Sequence, residues 1–109
     1  MSGISTHVLD AVFGKPAAAI AVRLEQQQDG AWVVLTDSAT DAHGRCHDLA
    51  IDASGGLYRL TFFTSDYFAR NGRTSIYPEI SVTFRCQGNE HYHLPLLLSY
   101  NSYTTYRGS

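Results

Sequence analysis

The side chains with chemistry to offer are spread along this chain rather than gathered in one motif. In Glu90-His91-Tyr92-His93-Leu94 two histidines lie two residues apart. On a strand that spacing puts both on one face, about 7 Å apart along the chain. A shared metal ion is compatible with the spacing, but zinc would need a carboxylate, a cysteine or a third histidine brought from elsewhere. A metal-free chemistry asks for less: one neutral imidazole, with a free pKa of about 6.5, suffices as a general base near neutral pH. His7 stands alone in Ile4-Ser5-Thr6-His7-Val8-Leu9-Asp10. Alternation sets Ile4, Thr6 and Val8 on one face and Ser5, His7 and Leu9 on the other, so this imidazole faces away from the apolar side. By itself such a histidine is more often a hydrogen-bonded surface or interface residue than a catalyst, because nothing local tunes it.

Arg45 follows the turn sequence Asp41-Ala42-His43-Gly44, which presents it at a strand start. An isolated arginine of this kind is more often a surface cation than an anion clamp. Its planar fork nonetheless suits a carbonyl or enolate oxygen better than a lysine would. The chain closes on Tyr106-Arg107-Gly108-Ser109, directly after a segment rich in Tyr and Thr. Chain ends ordinarily fray into solvent. Here an aromatic, a cation and a hydroxyl follow a strand with no disordered stretch between, and a strand can place such a tail accurately. Cys46 and Cys86 belong to no Cys-x-x-Cys pair and have no histidine at finger-like spacing, so they read as small buried thiols, reduced in an intracellular chain.

The elements that must position these groups are strands. Period-two alternation, with β-branched and aromatic runs between turn clusters, predicts an all-β antiparallel domain. The expected strands are Ile4 to Leu9, Ala18 to Gln26, Trp32 to Thr36, Arg45 to Leu49, Leu57 to Phe63, Glu79 to Cys86, Tyr92 to Ser99 and Tyr103 to Tyr106. Eight strands in 109 residues imply a sandwich or a small barrel. Phe13-Gly14-Lys15-Pro16, Asp29-Gly30, Ser54-Gly55-Gly56, Asn71-Gly72 and Gly88-Asn89 supply the turns between them. One segment departs from the pattern: Ser65 to Gly72 opens with two N-cap residue types and closes on Asn-Gly, which predicts about two turns of helix packed through Tyr67 and Phe68.

A length of 109 residues supports one domain, residues 1–109, and a single core. With 44% hydrophobic and 17% charged residues the composition is that of an ordinary globular domain. Eight basic residues against ten acidic ones, seven of the eight being arginine, form no basic stripe, so neither nucleic acid nor an anionic membrane is an expected partner. No apolar run approaches the roughly 20 residues of a membrane helix. The opening MSGIST lacks the flank and apolar stretch of a signal peptide, so a cytoplasmic protein is expected.

Taken together these segments resemble the 5-hydroxyisourate hydrolases, the transthyretin-related enzymes of urate degradation. Three blocks, spanning essentially the whole chain, carry the resemblance. They are Ser5-Thr6-His7-Val8-Leu9-Asp10 with Gly14-Lys15-Pro16-Ala17, then Gly44-Arg45-Cys46, and finally His91 to Ser99 with Tyr103 to Ser109. The terminal Tyr-Arg-Gly-Ser is the specific signal, because the hormone-carrying transthyretins look like the same fold without it. Tyr100 follows Ser99 where members commonly have proline, a departure that bears on the turn into the last strand.

The resemblance implies a transthyretin-like antiparallel sandwich of about eight strands with one short helix, assembled as a homotetramer. It implies that His7, Arg45, His93 and the tail Tyr106, Arg107, Gly108 and Ser109 converge in clefts at the interface between dimers. The implied reaction opens the six-membered ring of 5-hydroxyisourate with water, without a cofactor. In such a lactam hydrolysis His7 would take the proton of the attacking water, and His93 would orient the water or protonate the departing nitrogen; the sequence does not choose between the two imidazoles. Arg45 would hold the substrate and the growing oxyanion, while Tyr106 and Ser109 would close the cleft and bind polar edges. Ser109 is a poor covalent nucleophile, since no third residue is seen to orient a Ser-His pair. Two rival classes, a small-ligand carrier of the same fold and a plain interaction module, need none of these side chains.

Overall fold

Among the described residues, alternation along the chain resolves into nine strands and one helix. A computed structural model describes residues 3–51 and 53–109. In chain order the elements are β1 (Gly3–Asp10), β2 (Lys15–Pro16), β3 (Ala21–Gln28), β4 (Ala31–Ala39), β5 (Arg45–Ile51), β6 (Gly56–Phe63), α1 (Ser65–Arg70), β7 (Ile80–Cys86), β8 (His91–Leu98) and β9 (Tyr103–Thr105). One sheet runs β4-β3-β6-β7. The other runs β2-β1-β8-β9, with β5 also paired to β1. Since β8 pairs with β1 along its whole length, β5 and β2 share the remaining edge of β1 end to end.

The two sheets close on a core to which β1, β3, β6 and β8 send alternate residues, while no residue of β4 is fully buried. Ile4 and Val8 of β1 and Leu96 and Leu98 of β8 face Val22 and Leu24 of β3 and Leu60 and Phe62 of β6, all essentially fully buried. Each such side chain contributes about 1.5–3 kcal/mol of burial. Among the described residues no helix is long and apolar enough to cross a membrane.

The antiparallel expectation holds for every pair but one. β1 and β8 run parallel, in register from Gly3 with His91 to Asp10 with Leu98. No hairpin joins these strands, so no turn dictates their direction. β2 is an addition: Lys15 and Pro16, expected only as turn residues, return to pair with Asp10 and Leu9. β3 begins at Ala21 rather than Ala18, because Ala19 takes a left-handed conformation with φ +61° that ends any extended run before it.

The helix is present but starts differently. Thr64 is its N-cap and makes no side-chain capping bond, while Ser65 and Asp66 fall in the first turn. The Ser65 hydroxyl instead donates to the Pro78 carbonyl at 2.6 Å. Tyr67 and Phe68 are buried as expected. Asn71 and Gly72 close the helix by donating to the carbonyls of Phe68 and Ala69. Cys46 and Cys86 are free, buried thiols. Burial raises the pKa of both, Cys86 to about 11, so neither is a ready nucleophile.

Beyond α1 lies an ion pair that sequence reading missed. Arg73 and Asp10 are both buried and joined through two hydrogen bonds, and the Tyr67 hydroxyl donates to the same carboxylate at 2.7 Å. Rings of Phe13, Phe68, Tyr100 and Tyr67 surround the guanidinium at 4.5 to 5.7 Å. Burial alone would raise the Asp10 pKa, but the hydrogen bonds from Arg73, Tyr67 and the Phe13 amide overrule it and leave the pKa below its ordinary value. Tyr100 thus has a place against Arg73. The turn it occupies closes through a Ser99 amide to Ser102 carbonyl bond of 3.0 Å, and Leu98 pairs with Tyr103 immediately beyond. The departure at Tyr100 therefore leaves the last strand regular.

Candidate functional site

Pairing along β1 brings the scattered residues together. On its outer face Ser5 lies opposite His93 of β8, and His93 in turn lies opposite Gly108 of the tail. One rank further along, His7 lies between Arg45 of β5 and Pro95 of β8. Neighbouring strands are about 4.8 Å apart, so these ranks form one continuous patch. His7 does face away from the core residues Ile4 and Val8, as alternation requires.

Arg45 owes its place to a turn whose geometry the sequence anticipates. Asp41 Oδ1 accepts from the amides of His43 (2.8 Å) and Arg45 (3.0 Å), and the Arg45 amide is the main reason its pKa is lowered. Gly44 adopts φ +76°, and a Cβ there would come within 2.4 Å of the Val8 carbonyl oxygen. Only glycine lets the turn lie this close to β1, where its own carbonyl accepts from the Val8 amide at 2.7 Å. Beyond Arg45, β5 bulges: two steps along β1, from Thr6 to Ile4, match four along β5, from Cys46 to Ala50.

The two candidate imidazoles are bonded differently. His7 Nε2 lies 2.9 Å from the His43 carbonyl oxygen. A carbonyl only accepts, so Nε2 carries the proton and Nδ1 of the neutral ring is bare. His93 Nδ1 lies 2.8 Å from the Ser5 hydroxyl, and His91 Nε2 lies 3.0 Å from the same oxygen. A hydroxyl both gives and takes, so this contact leaves either tautomer open to His93. Burial, followed by the positive charge of Arg45 and the closeness of the His7, His91 and His47 rings, lowers the His93 pKa below the ordinary imidazole value. Its resting form near neutral pH is the uncharged base.

The tail is tied down rather than frayed. Thr105 Oγ1 donates to the Pro95 carbonyl at 2.8 Å and the Gly108 amide donates to the His93 carbonyl at 2.7 Å. Arg107 points to the other side: it bonds Glu90 Oε1 and the His91 carbonyl, both at 3.1 Å, and its guanidinium lies 4.1 Å from the Tyr92 ring centre. Its visible work is to anchor the tail. Tyr106 and Ser109 are exposed on either side of Gly108. Of the residues expected at the site, then, His7, Arg45, His93 and Gly108 share one patch, Tyr106 and Ser109 border it, and Arg107 braces it from behind.

Ser5 is the residue sequence reading passed over. It lies two positions before His7 and so on the same face, but its link to both His91 and His93 depends on a parallel register that no local pattern reveals. As for metal ions, both ring nitrogens facing each other across this pair are taken by the Ser5 hydroxyl. No group of three His, Cys, Asp or Glu among the described residues is placed to hold an ion. Two clefts of the chain lie elsewhere, one of about 180 Å³ beside Phe68 and Arg73 and one of about 300 Å³ over Arg23 and Arg59. The histidine patch is by contrast an open sheet face.

Comparison with known proteins finds the same arrangement of segments elsewhere. The model of the HIUase/Transthyretin family matches residues 4–108. A 5-hydroxyisourate hydrolase of Salmonella typhimurium is 45% identical over 109 residues, which cover 97% of this chain and 80% of that protein. The structure of Klebsiella pneumoniae 5-hydroxyisourate hydrolase superposes with a TM-score of 0.88 at 36% identity, covering all of both chains. Sea bream transthyretin in complex with thyroxine superposes with a TM-score of 0.92, also at 36% identity, covering 97% of this chain and 94% of that one.

Proposed function

Because the chain belongs to the HIUase/transthyretin family from residue 4 to residue 108, we propose that it hydrolyses 5-hydroxyisourate in urate degradation. Water opens the six-membered ring to give 2-oxo-4-hydroxy-4-carboxy-5-ureidoimidazoline. The observation that carries this reading is the convergence of His7, Arg45, His93 and Gly108 on one sheet face from four separate segments. Fold likeness alone does not discriminate, since the thyroxine-bound sea bream protein superposes as well as the Klebsiella hydrolase. A carrier has no use for a neutral imidazole, an arginine fork and a pinned tail in one place.

Water adds its oxygen to the ring carbonyl carbon and gives up one proton, after which the C–N bond breaks and the nitrogen leaves with a proton. His93 takes the water proton at Nε2, supported by its uncharged resting form and by the Ser5 contact that holds its other nitrogen. Proton transfer of this kind contributes about 10²–10⁴ in rate. His7 orients the water or delivers the proton to the departing nitrogen. Arg45, opposite His7, offers its fork to the oxyanion, where one donor is worth about 3 kcal/mol. No cofactor takes part.

The open face calls for a lid, and a homotetramer supplies one: the same face of a second dimer covers the patch, and Tyr106 and Ser109 close the cleft around the substrate. The test generates 5-hydroxyisourate with urate oxidase and follows its absorbance. Faster decay than in buffer, unchanged by EDTA, is expected; decay at the buffer rate returns the carrier reading. Replacing the base removes the acid limb of the kcat/KM profile, so His93→Asn and His7→Asn, each expected to cost about two orders of magnitude, also settle which imidazole it is.

A further inference from the structure

Ser5 touches both histidines of the His-x-His pair through one oxygen, at 3.0 Å from His91 Nε2 and 2.8 Å from His93 Nδ1. With a single proton, the hydroxyl donates to one ring nitrogen and accepts from the other. Two proton arrangements satisfy both contacts. In the first, His93 Nδ1–H donates to Ser5 and Ser5 donates to His91 Nε2, so His93 Nε2 is bare. In the second, His91 Nε2–H donates to Ser5 and Ser5 donates to His93 Nδ1, so His93 carries its own proton on Nε2. The fold holds the three groups in line. Ser5 pairs with His93, and Gly3 pairs with His91. A side chain at position 3 would put its Cβ 3.1 Å from His91 Nδ1, so glycine leaves the ring its place beside Ser5. Ser5 itself is 7% exposed, which leaves little room for a water to take over its bonds.

We propose that Ser5 and His91 are positioning residues that form a proton relay behind His93, an inference that rests on His93 being the group that takes the water proton. As His93 Nε2 binds that proton, Nδ1–H passes to the Ser5 oxygen and the original Ser5 proton passes to His91 Nε2. Three bonds to hydrogen break, on water, His93 Nδ1 and Ser5, and three form, on His93 Nε2, Ser5 and His91. His93 ends uncharged and the positive charge rests on His91. When the ring nitrogen departs, His93 Nε2–H goes to it and the two shifts run backward, so no proton is gained or lost over the cycle.

The relay answers a difficulty at His93 itself. A charge there is opposed by burial and by the groups that face it: Arg45 and His47 from β5, His7 from β1 and His91 on its own strand. His91 is exposed at the beginning of β8, next to Glu90. A charge moved there is two strand steps, about 7 Å, further along and in contact with water.

The first measurement needs no turnover: nitrogen-15 NMR of histidine-labelled protein reads the tautomer of each ring. His93 is expected as the Nδ1–H form in the resting protein, to move toward Nε2–H in Ser5→Ala, and to stay Nδ1–H in Ser5→Thr, which keeps the hydroxyl. The second is kinetic. Ser5→Ala and His91→Phe are expected to lower kcat about tenfold or more with KM within about twofold. Ser5→Thr should recover most of that loss, and imidazole in solution should partly restore His91→Ala, whose site is exposed. A proton inventory in mixed H₂O and D₂O is expected to curve for the wild type, with several protons in flight, and to straighten in Ser5→Ala.

A wild-type His93 in the Nε2–H form, a straight wild-type inventory, or full kcat in His91→Phe would each overturn the relay. Should the wild type not hydrolyse 5-hydroxyisourate at all, the hydrolase reading falls. The NMR arm still decides the chain of bonds in that case: an Nδ1–H that depends on the Ser5 hydroxyl upholds it, and one that does not removes it.

Discussion

A single methyl group at Gly108 should separate what the tail does for catalysis from what it does for stability. Its amide donates to the His93 carbonyl at 2.7 Å, and a Cβ at this position would meet His93 Cδ2 at 2.8 Å and the Pro95 ring at 3.3 and 3.4 Å. Carbon atoms settle about 3.5–4.0 Å apart, so about 0.7 Å must be found at His93. Pro95 is buried and cannot yield. Either the imidazole turns, losing its Ser5 bond, or the tail lifts, losing the Gly108 bond. Each loss costs about 0.5–1.5 kcal/mol, while both sheets of the core remain untouched. A displacement of about 1 Å in a positioned group, however, can cost about a hundredfold in rate. Gly108→Ala is therefore expected to reduce kcat/KM by about a hundredfold and to lower Tm by less than about 8 °C. Absorbance decay of enzymatically generated 5-hydroxyisourate gives the first number and a circular-dichroism melt the second. Turnover within about twofold of wild type would remove Gly108 from the neighbourhood of the reacting groups, and a fall in Tm well beyond that range would make the tail part of the core.

Arg45→Lys keeps the charge and loses the fork, so kcat/KM should fall at least about tenfold with an unchanged circular-dichroism spectrum; activity within about twofold of wild type places the oxyanion elsewhere. Arg73→Met strands the buried Asp10 and should cost about 3–5 kcal/mol in a denaturant titration. In the wild type Asp10, held below 3.8, gives its full contribution above that pH and loses it as pH falls through the lower folded value. In the variant the carboxyl takes up a proton readily, so the stability deficit should shrink on acidification, and a deficit that grows instead contradicts the pairing. The His93 pKa is lowered, so the acid limb of kcat/KM should lie below the ordinary imidazole value of 6.5; a limb above that value assigns it to another group. Deleting residues 106–109 should leave a folded assembly by light scattering with little hydrolysis, and full activity would sink the shared cleft.

How much of this was legible beforehand depended on whether a feature was local. The outward face of His7 followed from alternation in β1, and the presentation of Arg45 from a turn sequence that ends in glycine. The strands matched within a few residues, except where Ala19 adopts a conformation its residue type does not advertise. Ser5 was hidden because its meaning lies across 86 and 88 residues of sequence, in a parallel register set by packing. Asp10 and Arg73 were hidden for the same reason, since a lone aspartate at a strand end and a lone arginine after a helix read as solvated charges until the fold buries them against each other. The tail was legible as unusual, but not the division within it, where Gly108 meets His93 while Arg107 turns to Glu90.

The pairing of β1 with β8 has a consequence for how the protein comes into being. The strand carrying His7 ends at Asp10, and its full-length partner begins only at His91, so β1 leaves the ribosome well before the strand it pairs with along its length. Until then β1 has only β5 and β2 beside it, and its other edge is an open template, the kind of edge that recruits foreign strands. The β4-β3-β6-β7 sheet joins neighbours close in sequence and can form earlier, which makes it the natural platform for the waiting β1. A ribosome that stops early would release a chain with an exposed strand and no His93 or tail, and thus one that is sticky and inert. Only a chain translated through β8 and Gly108 both seals that edge and completes the patch.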